Sequence, residues 1–357
     1  MFKKKIKISN KRSIGDNQPC FIIGEIGSNH NRDKSNVKKL IEACAKAKFD
    51  AVKFQLYDPE LAFSKKLKVK DVGLSNLYNP EKPWWLVARD KILMPKNWFK
   101  EMYSYARKKG LIVFSTVHNI EDYNFLKKIG VPIIKIASID LEYNFLINEI
   151  SKLKKPTLLS TGMATIDEIK NTVKYFKKNK NTNLIILHCV SQYPPADKDL
   201  NLNNIKMLGK KFKCTYGYSD HSSDNLANYV AVAQGAKVIE KHITLDKKYP
   251  GPDHPFAIEP REMIELVKNI RRVEKMLGSS KRILNKEDLK SKKIIRRSIV
   301  LKKDLKKGDK ISLLNVKFAR PPGGISQNLF DKFKTKKLRK NLKAETILKK
   351  NHFYRDE

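Results

Sequence analysis

Eight short apolar, β-branched runs bounded by turn residues recur along the chain, at 21–27 (FIIGEIG), 51–55 (AVKFQ), 111–117 (LIVFSTV), 133–138 (IIKIAS), 157–162 (TLLSTG), 184–190 (LIILHCV), 215–221 (TYGYSDH) and 238–244 (VIEKHIT). Each has the length and composition of a buried strand. Between them, in 35–49, 97–110, 165–179 and 225–236, apolar residues return every three or four positions, the spacing of a helix with one buried face. Gly110 and Gly235 stand where C-caps belong, and a further amphipathic stretch, 261–278, ends at Gly278. Eight strand-then-helix units predict a parallel sheet, and that number fits a closed α/β barrel, the (β/α)8 TIM barrel, better than an open sheet.

Two stretches break the pattern. Residues 57–96 are rich in Pro, Asn and aromatic side chains and exceed an ordinary strand-to-helix connection, so they read as a lid or substrate loop. After Gly278 the chain turns polar and lysine-rich, then shows short strands punctuated by KKGD and PPGG turns. The expected organisation is a barrel domain over 1–280, a linker over 281–291 and a small β-rich domain over 292–357.

Composition narrows the function classes. The 357 residues carry 75 Lys or Arg against 37 Asp or Glu, a formal charge of +38. Residues 282–357 alone hold 24 basic and 8 acidic side chains. Lys outnumbers Arg 62 to 13, whereas bidentate reading of phosphates and bases favours Arg. Most of these lysines therefore read as solvated surface; a basic nucleic-acid-binding protein is the remote alternative, and no nucleic-acid partner is expected. The longest apolar runs fall far short of the roughly 18–20 residues that cross a bilayer, so no membrane association is expected. The basic start of the chain lacks the apolar stretch of a secretory signal, which points to the cytoplasm. Cys20, Cys44, Cys189 and Cys214 are scattered without paired spacing and read as buried free thiols.

In a parallel barrel the chemistry gathers at the strands' C-terminal ends. Those ends carry Glu25, then Lys53 and Gln55, Ser115 and Thr116, Lys135 and Ser138, Ser160 and Thr161, His188 with Ser191 and Tyr193 beyond, Ser219 with Asp220 and His221, and Glu240 with His242. Burying such groups without partners costs roughly 1–3 kcal/mol each. Their recurrence at one end eight times points to a ligand site. Lys53 and Lys135, with hydroxyls nearby, suit a phosphate and a carboxylate. His221 and His242 lie on adjacent strands; they are either two ligands of a divalent ion completed by water and substrate oxygens, or satisfied structural histidines. Glu25 is a general base or acid, or it neutralises the lysines. Asp253 binds a hydroxyl or forms a turn. His118, His188, His254 and His352 read as structural or surface groups.

These residues sit in GEIGSNHN, DAVKFQ, KIAS, STGM, HCVSQYP, GYSDHS, EKHITLD and GPDHPFAIEP, followed by KKGD and ARPPGGI. The ordered set spans nearly the whole chain and resembles the sialic acid synthase family. That resemblance implies a TIM barrel followed by an antifreeze-like (SAF) domain in a domain-swapped homodimer. It implies condensation of phosphoenolpyruvate with the open-chain aldehyde of an N-acetylated hexosamine, with N-acetylmannosamine as the default, to a nine-carbon 2-keto sugar acid and phosphate. Carried over, Lys53, Thr116, Lys135, Ser138, Ser160 and Ser219 look like the phosphoenolpyruvate site, and Gln55 is expected to bind substrate. His221 and His242 look like ligands of a divalent metal ion, usually Mn²⁺, with Mg²⁺ or Co²⁺ possible. Glu25 and Asp140 look like catalytic carboxylates and Lys53 and Lys135 like catalytic amines; Asp140 stands where many members have Glu, and Ser191, expected to bind substrate, stands where some have Asn. Tyr193 and Asp253 look like sugar contacts, and Arg320 looks like the arginine a partner's small domain supplies. Asp140, Ser191 and Pro322 depart from the best-known members on the sugar side. The bis-acetamido trideoxyhexoses that lead to legionaminic or pseudaminic acid therefore stand as the alternative substrates.

Overall fold

The computed structural model describes residues 1–354. A hairpin of β1 (Lys5–Lys7) and β2 (Ser13–Gly15) precedes eight parallel strands: β3 (Phe21–Glu25), β4 (Ala51–Gln55), β5 (Ile112–Thr116), β6 (Ile134–Ile136), β7 (Thr157–Ser160), β8 (Leu184–Cys189), β9 (Thr215–Asp220) and β10 (Val238–His242). They close into one barrel, β10 pairing with β3. The TIM barrel read from the sequence is the fold observed. Parallel strands are covered by helices outside and packed side chains inside, which is why these segments read as continuous apolar runs rather than alternating ones. The fully buried Ile22, Val52, Phe114, Ile134, Leu158, Ile185 and Ile239 belong to the resulting core.

One helix follows each barrel strand, at Lys34–Ala47, Phe99–Lys108, Ile120–Ile129, Asn144–Lys152, Ile166–Lys178, Asn203–Phe212, Leu226–Ala233 and Pro260–Leu277. Their starts are set locally. Asp33 accepts from the Ser35 N–H, Asn119 from the Asp122 N–H, and Thr165 forms a reciprocal box with Glu168; each such cap contributes about 1 kcal/mol.

The opening residues, which read only as basic, form the β1–β2 hairpin beneath the barrel. Ile6 and Ile14 are fully buried, the Lys3 N–H donates to the Thr182 carbonyl at 2.9 Å, and Thr215 Oγ donates to the Lys3 carbonyl at 3.1 Å. Both partners lie at strand N-terminal ends, so the hairpin covers the end opposite the chemistry.

Residues 57–96 are also more ordered than a bare loop. Short helical turns, Pro59–Ala62 and Trp84–Val87 among them, pack around Val69, Trp84, Val87, Ala88, Ile92 and Leu93, a small apolar cluster of their own. Arg32 tethers this segment by donating to the Leu93 carbonyl at 3.0 Å and to the Arg89 carbonyl.

The chain divides into two compact units after Gly278. In the second, β11 (Ser298–Leu301) pairs antiparallel with β12 (Val316–Ala319) over a core that includes Ile299, Leu301, Ile311, Ile325, Leu338 and Phe353. The stretch 281–291, expected as a linker, runs into a helix at Lys286–Ile295 that buries no residue. All four cysteines are free and buried. Among the described residues, no helix is long and apolar enough to cross a membrane.

Candidate active site

A cavity of about 500 Å³ opens at the C-terminal ends of the barrel strands. Side chains alternate along a strand, so positions two apart share a side. The cavity lining follows that parity: Lys53, Gln55 and Tyr57 from β4 onward, Thr116 and His118 from β5, Ser219 and His221 from β9, and Glu240 and His242 from β10. Lys135, Ser138, Ser160, Ser191, Tyr193 and Asp253 complete its polar surface. Lys53, Lys135, His221 and His242, gathered in the sequence reading from four separate strands, therefore line one chamber.

At its floor lies a buried charge cluster. Lys53 pairs with the Glu25 carboxylate, donates to Thr116 Oγ1 at 3.1 Å, and lies 3.4 Å from Glu240 Oε1. The same Glu240 oxygen accepts from Lys135 at 3.2 Å and from Ser219 Oγ at 3.2 Å. Burial pushes the Glu25 carboxyl up to about 7, with Lys53 opposing that rise and Glu240 adding to it. Burial also works against the charged form of Glu240, but Lys135 and Lys53 outweigh it and hold the group at about 2. Lys135 is pushed down by burial, whereas for Lys53 the carboxylates of Glu240 and Glu25 overcome burial and raise it. The cluster thus keeps two cations facing a chamber that also offers hydroxyl donors. Ser160 Oγ is buried there without a hydrogen-bond partner, a donor free for a ligand.

Glu25 sets a pH test with a defined sign. A carboxyl held at about 7 in the folded chain keeps a proton that the unfolded chain gives up in the ordinary carboxylate range. Wild-type stability falls as pH rises through that interval, and Glu25→Gln escapes the fall. The melting temperature of the variant relative to wild type is expected to rise between about pH 4.5 and 7. Parallel melting curves for the two proteins across that range would show that Glu25 titrates normally.

The two histidines face each other with ring centroids 5.4 Å apart. His221 Nδ1 lies 2.8 Å from the Val190 carbonyl, which as a donor leaves Nε2 with its lone pair, and Tyr193 packs against the ring at 4.1 Å. Burial pushes His221 down to about 4 and His242 down to about 3, so both are neutral at pH 7, the form that binds a metal. His242 Nδ1 is buried without a hydrogen-bond partner. This donor set fits a divalent cation completed by substrate or water oxygens. Among the described residues, no group of three or more His, Cys, Asp or Glu side chains is placed to hold an ion alone.

Toward the mouth, Asp253 Oδ2 accepts from Ser28 Oγ at 2.9 Å and lies 3.7 Å from His242 Nδ1. Gly27, at φ +52°, permits this approach, because a Cβ there would sit 2.8 Å from Asp253 Oδ2. Leu74 and Pro252 add apolar surface, as do Ile139 and Met163.

One sequence expectation needs correcting, and three expected site residues can now be located. His118 is not a structural or surface histidine: it lines the cavity, with Asp140 Oδ2 2.8 Å from its Nδ1 and the Tyr57 ring edge-on at 4.5 Å. Asp140 lies behind His118 in the short turn Ser138–Asp140 and is not among the lining residues. Glu25 sits beneath the floor, fully buried, and reaches the chamber through Lys53. Arg320 is an exposed residue of the second unit. Glu240 and Tyr57 received no role from the sequence. The parity that joins Glu240 to His242, and Tyr57 to Lys53 and Gln55, was the signal that could have assigned them.

Comparison with known proteins agrees with this geometry. Residues 40–282 match the model of the NeuB family, and residues 296–353 match that of the SAF domain. The chain is 37% identical over 331 residues to an N,N'-diacetyllegionaminic acid synthase of Campylobacter jejuni, covering 92% of this chain and 98% of the relative. It is 36% identical over 341 residues to a pseudaminic acid synthase of the same organism, covering 96% and 98%. Among solved structures, an N-acetylneuraminic acid (sialic acid) synthetase from Leptospira borgpetersenii in complex with citrate is similar, with a TM-score of 0.71 and 34% identity over 81% of this chain and 95% of that one.

Proposed function

The chain belongs to the NeuB family, and from that premise we propose that it condenses phosphoenolpyruvate with the aldehyde of an acylated amino sugar, releasing phosphate and a nine-carbon 2-keto sugar acid. The observation that carries this reading is the single chamber in which two buried lysines, two neutral imidazoles and the buried Glu240 carboxylate meet. Carbon 3 of phosphoenolpyruvate bonds to the aldehyde carbon, water adds at carbon 2, and phosphate departs with its C–O bond. Lys53 and Lys135 hold the anionic donor and the leaving phosphate, aided by Thr116, Ser138, Ser160 and Ser219. Glu25, poised near neutrality beneath the floor, takes up or returns a proton by way of Lys53, the group that joins it to the chamber. Gln55, Ser191, Tyr193 and Asp253 face the space left for the sugar. His221 and His242 would hold a divalent cation, Mn²⁺ in the first instance with Mg²⁺ or Co²⁺ as alternatives, supplying Lewis acidity toward the aldehyde oxygen.

N-acetylmannosamine is one sugar this chemistry accepts. The apolar lining by Leu74, Ile139, Met163 and Pro252 favours a second, a bis-acetamido trideoxyhexose, whose terminal methyl and acyl groups gain from such surface. The names of the two Campylobacter relatives point the same way. Incubating the protein with phosphoenolpyruvate, Mn²⁺ and each sugar, with phosphate release and product mass as readouts, tests the reading. Absence of phosphate release with every acylated amino sugar would refute it.

The family resemblance also leads us to propose a homodimer working in the cytoplasm, with Arg320 assigned to the sugar. Arg320→Ala is expected to raise the sugar KM about tenfold or more while phosphoenolpyruvate affinity and melting temperature stay put, since one charge-assisted contact is worth roughly 1.5–3 kcal/mol. An unchanged sugar KM removes Arg320 from the site.

A further inference from the structure

The same parity that turns His221 and His242 into the chamber turns their neighbours Asp220 and Lys241 outward, toward the helix layer. Both are completely buried there and form an ion pair at 2.7 Å. They are direct cross-strand partners in the β9–β10 register. Asp220 is saturated. Its Oδ2 accepts from Lys241, from Asn228 Nδ2 at 2.7 Å and from Ser222 Oγ at 3.0 Å; its Oδ1 accepts from the Ser222 N–H at 2.8 Å and from the Tyr218 hydroxyl at 3.0 Å. Lys241 also donates to the Ser222 carbonyl.

The connectivity singles out the histidines. Residues 220 and 222 flank His221, and both are bound by Lys241, which itself precedes His242. One ammonium therefore ties the side chain before the first imidazole and the backbone carbonyl after it to the residue before the second. A buried ion pair is a poor source of net stability, because desolvating two charges offsets most of their attraction; its best-attested use is to fix register. Apolar residues would join two barrel strands at least as firmly. What they would not supply is a directional constraint on the turn that carries His221.

We infer that Asp220 and Lys241 are positioning residues that set the distance and orientation of His221 and His242 for a shared divalent cation. The inference rests on the reading of the two histidines as metal ligands. Of the groups assigned to phosphoenolpyruvate, Ser219 alone shares β9 with Asp220 and the charged ones, Lys53 and Lys135, lie on β4 and β6, so the pair acts chiefly on the cation.

The test titrates Mn²⁺ alone, and phosphoenolpyruvate alone, into the full-length wild type, Lys241→Met and the double variant Asp220→Asn/Lys241→Met by calorimetry, with circular dichroism to monitor folding. Removing one partner leaves a buried charge unpaired and can unfold the protein; replacing both by neutral near-isosteres avoids that. In the folded double variant, Mn²⁺ affinity is expected to drop about 10-fold or more, the range for groups that orient metal ligands, with phosphoenolpyruvate affinity within about twofold of wild type. Mn²⁺ affinity within about twofold of wild type overturns the positioning role. Equal loss of both ligands overturns it too, by showing general damage. A wild type that binds no Mn²⁺ brings down the metal reading and the inference with it, a result distinct from either.

Discussion

Lys53→Met is expected to lower stability by about 3–5 kcal/mol and to reduce phosphate release at least about 10³-fold. Lys53 is the buried cation that touches both Glu25 and Glu240, and Glu25 is fully enclosed. Without it, Lys135 remains beside Glu240 at 3.2 Å. Glu25 then has to carry a proton or an unpaired charge in the interior, and the loss exceeds that of an ordinary surface substitution. The double variant Glu25→Gln/Lys53→Met, which removes both halves of the pair, should recover most of the stability and none of the activity. Thermal melts and a phosphate assay of the three proteins separate the two effects. A single variant that melts with the wild type would mean that Lys53 does not neutralise the floor.

Chelation of divalent cations is expected to depress turnover by about 10³-fold or more, several kcal/mol of transition-state stabilisation, with recovery on adding Mn²⁺. His221→Ala and His242→Ala should each give the same deficit and resist that rescue. Phosphoenolpyruvate should still bind the chelated protein, because its anionic groups are assigned to Lys53, Lys135 and the neighbouring hydroxyls. Full turnover in excess chelator would dismiss the cation and the role assigned to both imidazoles.

Much of the molecule was legible because a parallel barrel writes itself in a simple code. Apolar runs marked β3 to β10 within one or two residues at each end, and polar residues clustered where those runs stop. The runs could not say how far each side chain lies from the cavity. Asp140 stands behind His118, a position the sequence did not indicate, because a turn at Ser138–Asp140 redirects the chain after β6. His118 reads from the sequence as a structural or surface group, although its offset of two from Thr116 places it on the same side. The β1–β2 hairpin escaped notice because three-residue strands flanked by lysines carry almost no period-two signal. The ion pair of Asp220 and Lys241 was equally hidden: a charged residue next to a histidine looks like part of the site until the alternation is followed outward.

The closure that makes the barrel also sets the order in which it can be made. The first barrel strand, β3, finds one of its two neighbours in β10, and Lys3 meets Thr215 across 212 positions of sequence. On a ribosome adding about 5–20 residues per second, those first apolar segments wait on the order of ten seconds or more for their mates. During that wait Phe21, Ile22 and Ile23 have no finished interior to enter, so nascent-chain binding factors that cover them should raise the yield of native protein, and slower elongation, which lengthens the exposure, should lower it.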